Sequence, residues 1–150
     1  RSMSHDLIQY IDSSIFVVKG FDPTSNYRIL LVIDDSPYMK KVLKYGVRVA
    51  QAFNIEVDFL LVTKNKTLSE KNKIIMDYSS KYLRRCNVKS NILTKIGNPE
   101  EKIIKAAGKN HIIIMGASIK SPIAKFFQSS IPLEVMNSCN CPILIVKPSN

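Results

Sequence analysis

The chain has 150 residues, enough for one domain that buries about two-thirds of its unfolded surface. Apolar residues make up 45% and charged residues 23%, an ordinary globular balance; no apolar run nears the ~20 residues of a membrane-spanning helix, and the start lacks the basic-then-apolar order of a signal peptide, so a cytoplasmic location is expected. The net charge of +10 is spread over the polar sides of several segments, which points to solvated helix faces rather than one nucleic-acid groove; weak, salt-sensitive anion binding is what charge alone would give.

In chain order, residues 1–26 stand apart as an N-terminal extension holding one strand-like run, 14–19, and a linker with Gly20, Asp22-Pro23 and Ser25. Displaced by 128 positions, His5 to Lys19 falls on Leu133 to Lys147, and Ile15-Phe16-Val17-Val18-Lys19 meets Ile143-Leu144-Ile145-Val146-Lys147. The match reads as the end of a preceding copy of the same fold. On that reading 14–19 pairs antiparallel with 142–147, within the chain or from a neighbour, concealing edge groups that would otherwise stay unpaired.

From residue 27 to 150 two segment types alternate. The strand-like runs are Ile29–Ile33, Val57–Val62, Lys89–Thr94, Ile112–Met115 and Ile143–Val146, three of them almost continuously apolar, as for parallel strands buried on both faces. Between them, Val42, Leu43, Tyr45, Gly46, Val49, Ala50 and Phe53 recur at helical spacing. So do Ile74, Ile75, Tyr78, Tyr82 and Leu83, and then Ile103, Ile104, Ala106 and Ala107. Helix starts are signalled by Ser36-Pro37, by Thr67-Leu68-Ser69-Glu70 and by Asn98-Pro99-Glu100-Glu101; Gly108 is a candidate stop.

This alternation predicts an α/β fold: a doubly wound, five-stranded parallel sheet with helices on both faces, Rossmann-like, plus the extra N-terminal strand. A ligand then binds beyond the carboxyl ends of the strands where their order reverses, at Asp34-Asp35-Ser36 and from Gly116 onward.

Common catalytic signatures are missing. There is no phosphate loop of the Gly-x-x-x-x-Gly-Lys type, no Gly-x-Gly-x-x-Gly, no His-Glu-x-x-His and no Gly-x-Ser-x-Gly. His111, directly before a buried run, reads as a strand-edge residue rather than a base. The three cysteines are odd in number, Cys139 and Cys141 are too close to staple a fold, and Cys-x-Cys is poor zinc spacing; buried thiols beside a strand are expected.

The order Val32-Ile33-Asp34-Asp35-Ser36, Leu60-Leu61-Val62, Gly97-Asn98-Pro99-Glu100-Glu101, His111 through Ser118, and Ser129-Ser130-Ile131 through Lys147 closely resembles the universal stress protein family, over nearly all of 27–148. The resemblance implies that Asp34 contacts an adenosine, that Val62 lends its backbone to the adenine, and that phosphates lie in a Gly-x-x-Gly-x9-Gly-Ser/Thr loop after the fourth strand. The implied cofactor-binding set is Asp34, Asp35, Val62, Met115, Gly116, Ser118, Ser129, Ser130 and Ile131.

The loop departs from that pattern. Gly116 and Ser130 keep their places, but Ile119 and Ser129 stand where glycines belong. A β-branched isoleucine resists positive φ and projects a side chain where a phosphate oxygen would approach. Lys120 and Lys125 would partly restore attraction for phosphate.

Three readings follow: a non-enzymatic regulatory module acting through dimerisation or partner contacts, with nucleotide binding weak or absent; an AMP- or ATP-binding sensor, with magnesium and slow hydrolysis; and a lysine-rich binder of anionic surfaces or nucleic acid. A homodimer or tandem pseudo-dimer through 142–147 and 14–19 belongs to the first. No metal site is expected.

Overall fold

β-Branched runs that are apolar at every position can satisfy their backbone only by pairing with one another, and here they do so in one sheet. The computed structural model of the protein describes residues 15–17, 22, 24–34, 39–108, 110–116 and 141–146. In chain order these hold β1 (Ile15–Val17), β2 (Arg28–Ile33), α1 (Met39–Phe53), β3 (Val57–Thr63), α2 (Glu70–Arg85), β4 (Ser90–Ile96), α3 (Pro99–Ala106), β5 (His111–Gly116) and β6 (Ile143–Val146).

The strand order across the sheet is β1-β6-β5-β2-β3-β4. Strands β2 to β6 are mutually parallel. The extra strand β1 runs antiparallel to β6 within the same chain, with Ile15 opposite Val146, Phe16 opposite Ile145 and Val17 opposite Leu144. The expected five parallel strands and additional N-terminal strand are therefore present. The order turns back at β2, whose neighbours are β3 on one side and β5 on the other.

Alternating side chains send the strands' apolar residues to two cores. On one face Ile29, Leu31, Ile33, Phe59, Leu61, Ile112 and Ile114 pack against Met39, Val42, Leu43, Val47 and Ala50 of α1 and Leu83 of α2. On the other, Leu30, Leu60, Ile113, Met115, Ile143 and Ile145 surround Ile103 of α3. Burial of each such side chain contributes about 1.5–3 kcal/mol. Cys141, beside β6, is buried with this second group, as expected of a thiol next to a strand.

The helices need several corrections. Helix α1 buries Met39 and Val47 along its stripe, whereas Phe53, assigned to the apolar face, is 54% exposed. Phe53 lies in the last turn, beyond the sheet's reach. In α2 only Ser79 and Leu83 are buried, and Ile74 is 66% exposed. This helix lies over the edge strand β4, with no further strand to cover its outer side.

Its cap is Ser69, whose Oγ accepts from the Asn72 N–H at 3.1 Å, and not Thr67. Asn98 caps α3 as expected, accepting from the Glu101 N–H at 3.0 Å with Pro99 in the first turn. Gly108 follows the α3 cap residue Ala107 without a positive φ; the positive-φ residues that follow helices are Asn54 after α1 and Asn87 after α2. Strand β4, expected to span 89–94, runs to Ile96 because β3 pairs with it along its whole length. The Ser36-Pro37 start signal lies outside the described residues.

Candidate functional site

The reversal of strand order brings the ends of β2, β3 and β5 side by side. Leu61 is level with Ile33, so continuing the register sets Val62 level with Asp34. Leu31 is level with Ile114, so Gly116 stands beside Ile33 and one residue behind Asp34. Asp34, Val62 and Gly116 thus share one rim at the carboxyl ends, as the sequence predicts. By alternation Asp34 follows Leu30 and Val32 on the α3 face. Val32 and Val62 are half-buried there, leaving the rim of that face more open than its centre.

Local contacts hold this rim. The Asp34 N–H points to Sδ of Met39 at 3.4 Å, and Met39, the first residue of α1, is buried at 2% exposure. The start of α1 therefore sits against the end of β2, and its first turn carries no acidic residue. Beyond β3, Thr63 Oγ1 donates to the Asn65 carbonyl at 2.9 Å, and the Gly97 N–H donates to the Thr63 carbonyl at 2.8 Å, tying the end of β4 to the end of β3.

Asp34 is exposed. Met115 buries its side chain in the core beneath the rim, so its backbone is the part a ligand would meet. Asp35, Ser118, Ser129, Ser130 and Ile131 lie outside the described residues, as do Ile119, Lys120 and Lys125. Among the described residues no group of three His, Cys, Asp or Glu side chains could hold a metal ion, and no helix is long and apolar enough to cross a membrane.

A second polar cluster, at the opposite end of the sheet, escaped the sequence reading. Asp58 of β3 accepts from Arg28 of β2 at both oxygens, Nε at 3.0 Å and NH2 at 2.6 Å. It also accepts from Asn91 Nδ2 of β4 at 3.1 Å, and lies 3.1 Å from His111 Nε2 of β5. His111 Nδ1 accepts the Gly108 N–H at 2.8 Å, which assigns the ring proton to Nε2 and makes Nε2 the donor to Asp58.

Arg28 above all, helped by His111 and Asn91, holds the Asp58 carboxyl well below the usual carboxylate range, against the opposing effect of burial. Four strands are thus tied by one carboxylate. With both ring nitrogens engaged, His111 is a structural strand-end residue, as the sequence suggested. The missed signal was the single Asp within the apolar run Val57–Val62, a charge that needs a partner when half-buried.

Comparison with known proteins agrees with this fold. A model of the Universal stress protein family matches residues 26–147. Universal stress protein MJ0577 of Methanocaldococcus jannaschii is 30% identical over 138 residues, covering 89% of this chain and 85% of the relative. A solved structure of MJ0577 superposes with a TM-score of 0.66 at 26% identity, over 83% of this chain and 98% of that one. A universal stress protein solved in complex with cAMP shares the fold, with a TM-score of 0.64 at 18% identity over 83% of this chain and all of the other. One from Archaeoglobus fulgidus in complex with dAMP has a TM-score of 0.59 at 15% identity, over 81% and 98%. This chain belongs to the universal stress protein family.

Proposed function

We propose that the chain is a non-catalytic regulatory module whose cleft at the ends of β2, β3 and β5 takes the nucleoside end of an adenine nucleotide, AMP in preference to ATP. The observation that carries this reading is the common level of Asp34, Val62 and Gly116 on one rim beside the start of α1. Universal stress proteins of the same fold have been solved in complex with cAMP and with dAMP, which supports an adenine nucleotide as the ligand class. Against tight ATP binding stand Ile119 and Ser129, where the family's phosphate loop has glycines. The same reading has the last strand pair with a strand that belongs to a preceding copy of the fold; β1, seated on β6, is the feature that supports it.

Isothermal titration with AMP, ADP and ATP, with and without magnesium, tests the proposal. AMP is expected to bind at least as tightly as ATP, and Asp34→Ala to abolish the AMP-induced thermal shift while leaving the unliganded melting temperature unchanged. Tighter binding of ATP than AMP would overturn the preference; no shift with any of the three would overturn the site.

A further inference from the structure

Outside the nucleotide rim, the α3 face of the sheet carries a second recess. It is a groove of about 360 Å³ between α3 and the outermost strand, lined by Leu93, Lys95, Lys102, Lys105 and Ala106. That volume is at the lower end of the ~300–1,000 Å³ typical of small-molecule sites. Leu93 and Ala106 are half-buried and form an apolar floor, while three ammonium groups and no carboxylate line the walls. The larger groove of about 660 Å³ near the start of β4 differs in kind, since Glu56 lies among its Arg84 and Lys89.

Two details argue that the three charges are arranged rather than scattered. On α2 two of the three lysines are matched by helical neighbours, Lys73 with Glu70 at 3.4 Å and Lys81 with Asp77 at 2.9 Å. On α3 Glu101 and Lys105 have the favourable spacing of four, yet among the described residues no ion pair joins Lys95, Lys102 or Lys105 to a carboxylate. The second detail is Gly97, which has φ +141° and would bring a Cβ within 2.8 Å of Lys102 Cε. The Lys102 side chain thus lies against the turn before α3, over a residue that its φ restricts to glycine. Lys95, for its part, is the registered neighbour of Val62 on β3, which sets the groove beside the nucleotide rim but one strand further out.

We propose that this groove binds a small soluble molecule carrying at least two anionic groups, phosphate or carboxylate, with its less polar part over Leu93 and Ala106. Three ammonium groups around a recess, none joined to a carboxylate among the described residues, favour such a ligand by charge-assisted hydrogen bonds. The inference does not depend on nucleotide binding at the rim.

Inorganic tripolyphosphate is the probe, titrated into the intact chain at physiological salt by calorimetry and by amide NMR. One saturable site is expected, with shifts centred on Leu93, Lys95, Lys102, Lys105 and Ala106. The variant K95Q/K102Q/K105Q should bind about ten-fold more weakly. The control K44Q/K71Q/K89Q, with the same charge removed from exposed sites elsewhere, should change affinity by less than roughly three-fold. Equal weakening in both variants would reduce the effect to diffuse charge and overturn the proposal. So would shifts centred on Gly116, or no saturable binding by the unaltered chain. The NMR map of the unaltered chain decides the matter even if the triple variant folds poorly, and an AMP titration read in the same spectra reports the rim separately.

Discussion

Asp58 shows how much one side chain can hold together. Its carboxylate accepts from β2, β4 and β5 at once, and its own side chain is 13% exposed while that of Arg28 is 38% exposed. Solvent around Arg28 weakens the pair, so Asp58→Asn is expected to cost about 1–2 kcal/mol in urea denaturation at neutral pH. The pH dependence follows from the direction of the shift. A carboxyl held lower in the folded state stabilises the fold above its unfolded pKa of about 3.9, and that contribution is lost as pH falls from there toward the folded value. Stability of the unaltered chain should therefore drop steeply below about pH 4, and Asp58→Asn should flatten that slope. An unchanged slope would mean that other carboxylates govern acid unfolding. Asp58 was visible in the sequence as a charge inside an apolar run, but its four-strand role was not, because its partners come from Arg28, Asn91 and His111, far apart in the chain.

At the scale of elements, capping was the most legible feature. Asn98-Pro99 and the Ser69 hydroxyl act locally, through donors three residues away, so short sequence windows contain the whole interaction. The buried stripes were less legible. Helical spacing identified α1 and α2 but included Phe53, Ile74 and Tyr78, all exposed, since the width of a stripe depends on what lies opposite. Gly46 makes the point for α1. A Cβ there would lie 3.0 Å from Leu31 Cδ1 and 3.2 Å from Cδ2, and Leu31 is wholly buried. The glycine is a contact surface, letting the helix approach β2 closely. Gly46→Val is expected to destabilise the protein by about 2 kcal/mol or more, from overpacking and β-branching together. A thermal melt matching the unaltered chain would show that the helix can shift outward at no cost.

For the whole molecule the two edges of the sheet differ. At one, β4 leaves Ile92 and Ile96 half exposed, at 47% and 49%. At the other, β6 is apolar at all four positions and buried, with β1 laid along it. Without β1, the outer backbone groups of β6 would be an unpaired edge, open to any strand that could add to it. Removal of residues 1–20 is expected to produce concentration-dependent self-association in sedimentation velocity, under conditions where the full chain sediments as a smaller species. An identical sedimentation profile for both would count against strand pairing at β6 as the means of association.

What the sequence determined by itself was the alternation of buried strands and capped helices, the α/β class, and the order of motifs that marks the family. These rest on periodicity and on interactions between near neighbours, which a linear chain displays directly. Only the tertiary structure decided which helix faces are covered, how far β4 extends, that β1 lies on β6 within one chain, and that Asp58 and the three groove lysines gather partners or neighbours from separate segments. Those outcomes depend on register and on what stands across a packed surface, distances that the spacing of residues along the chain does not contain.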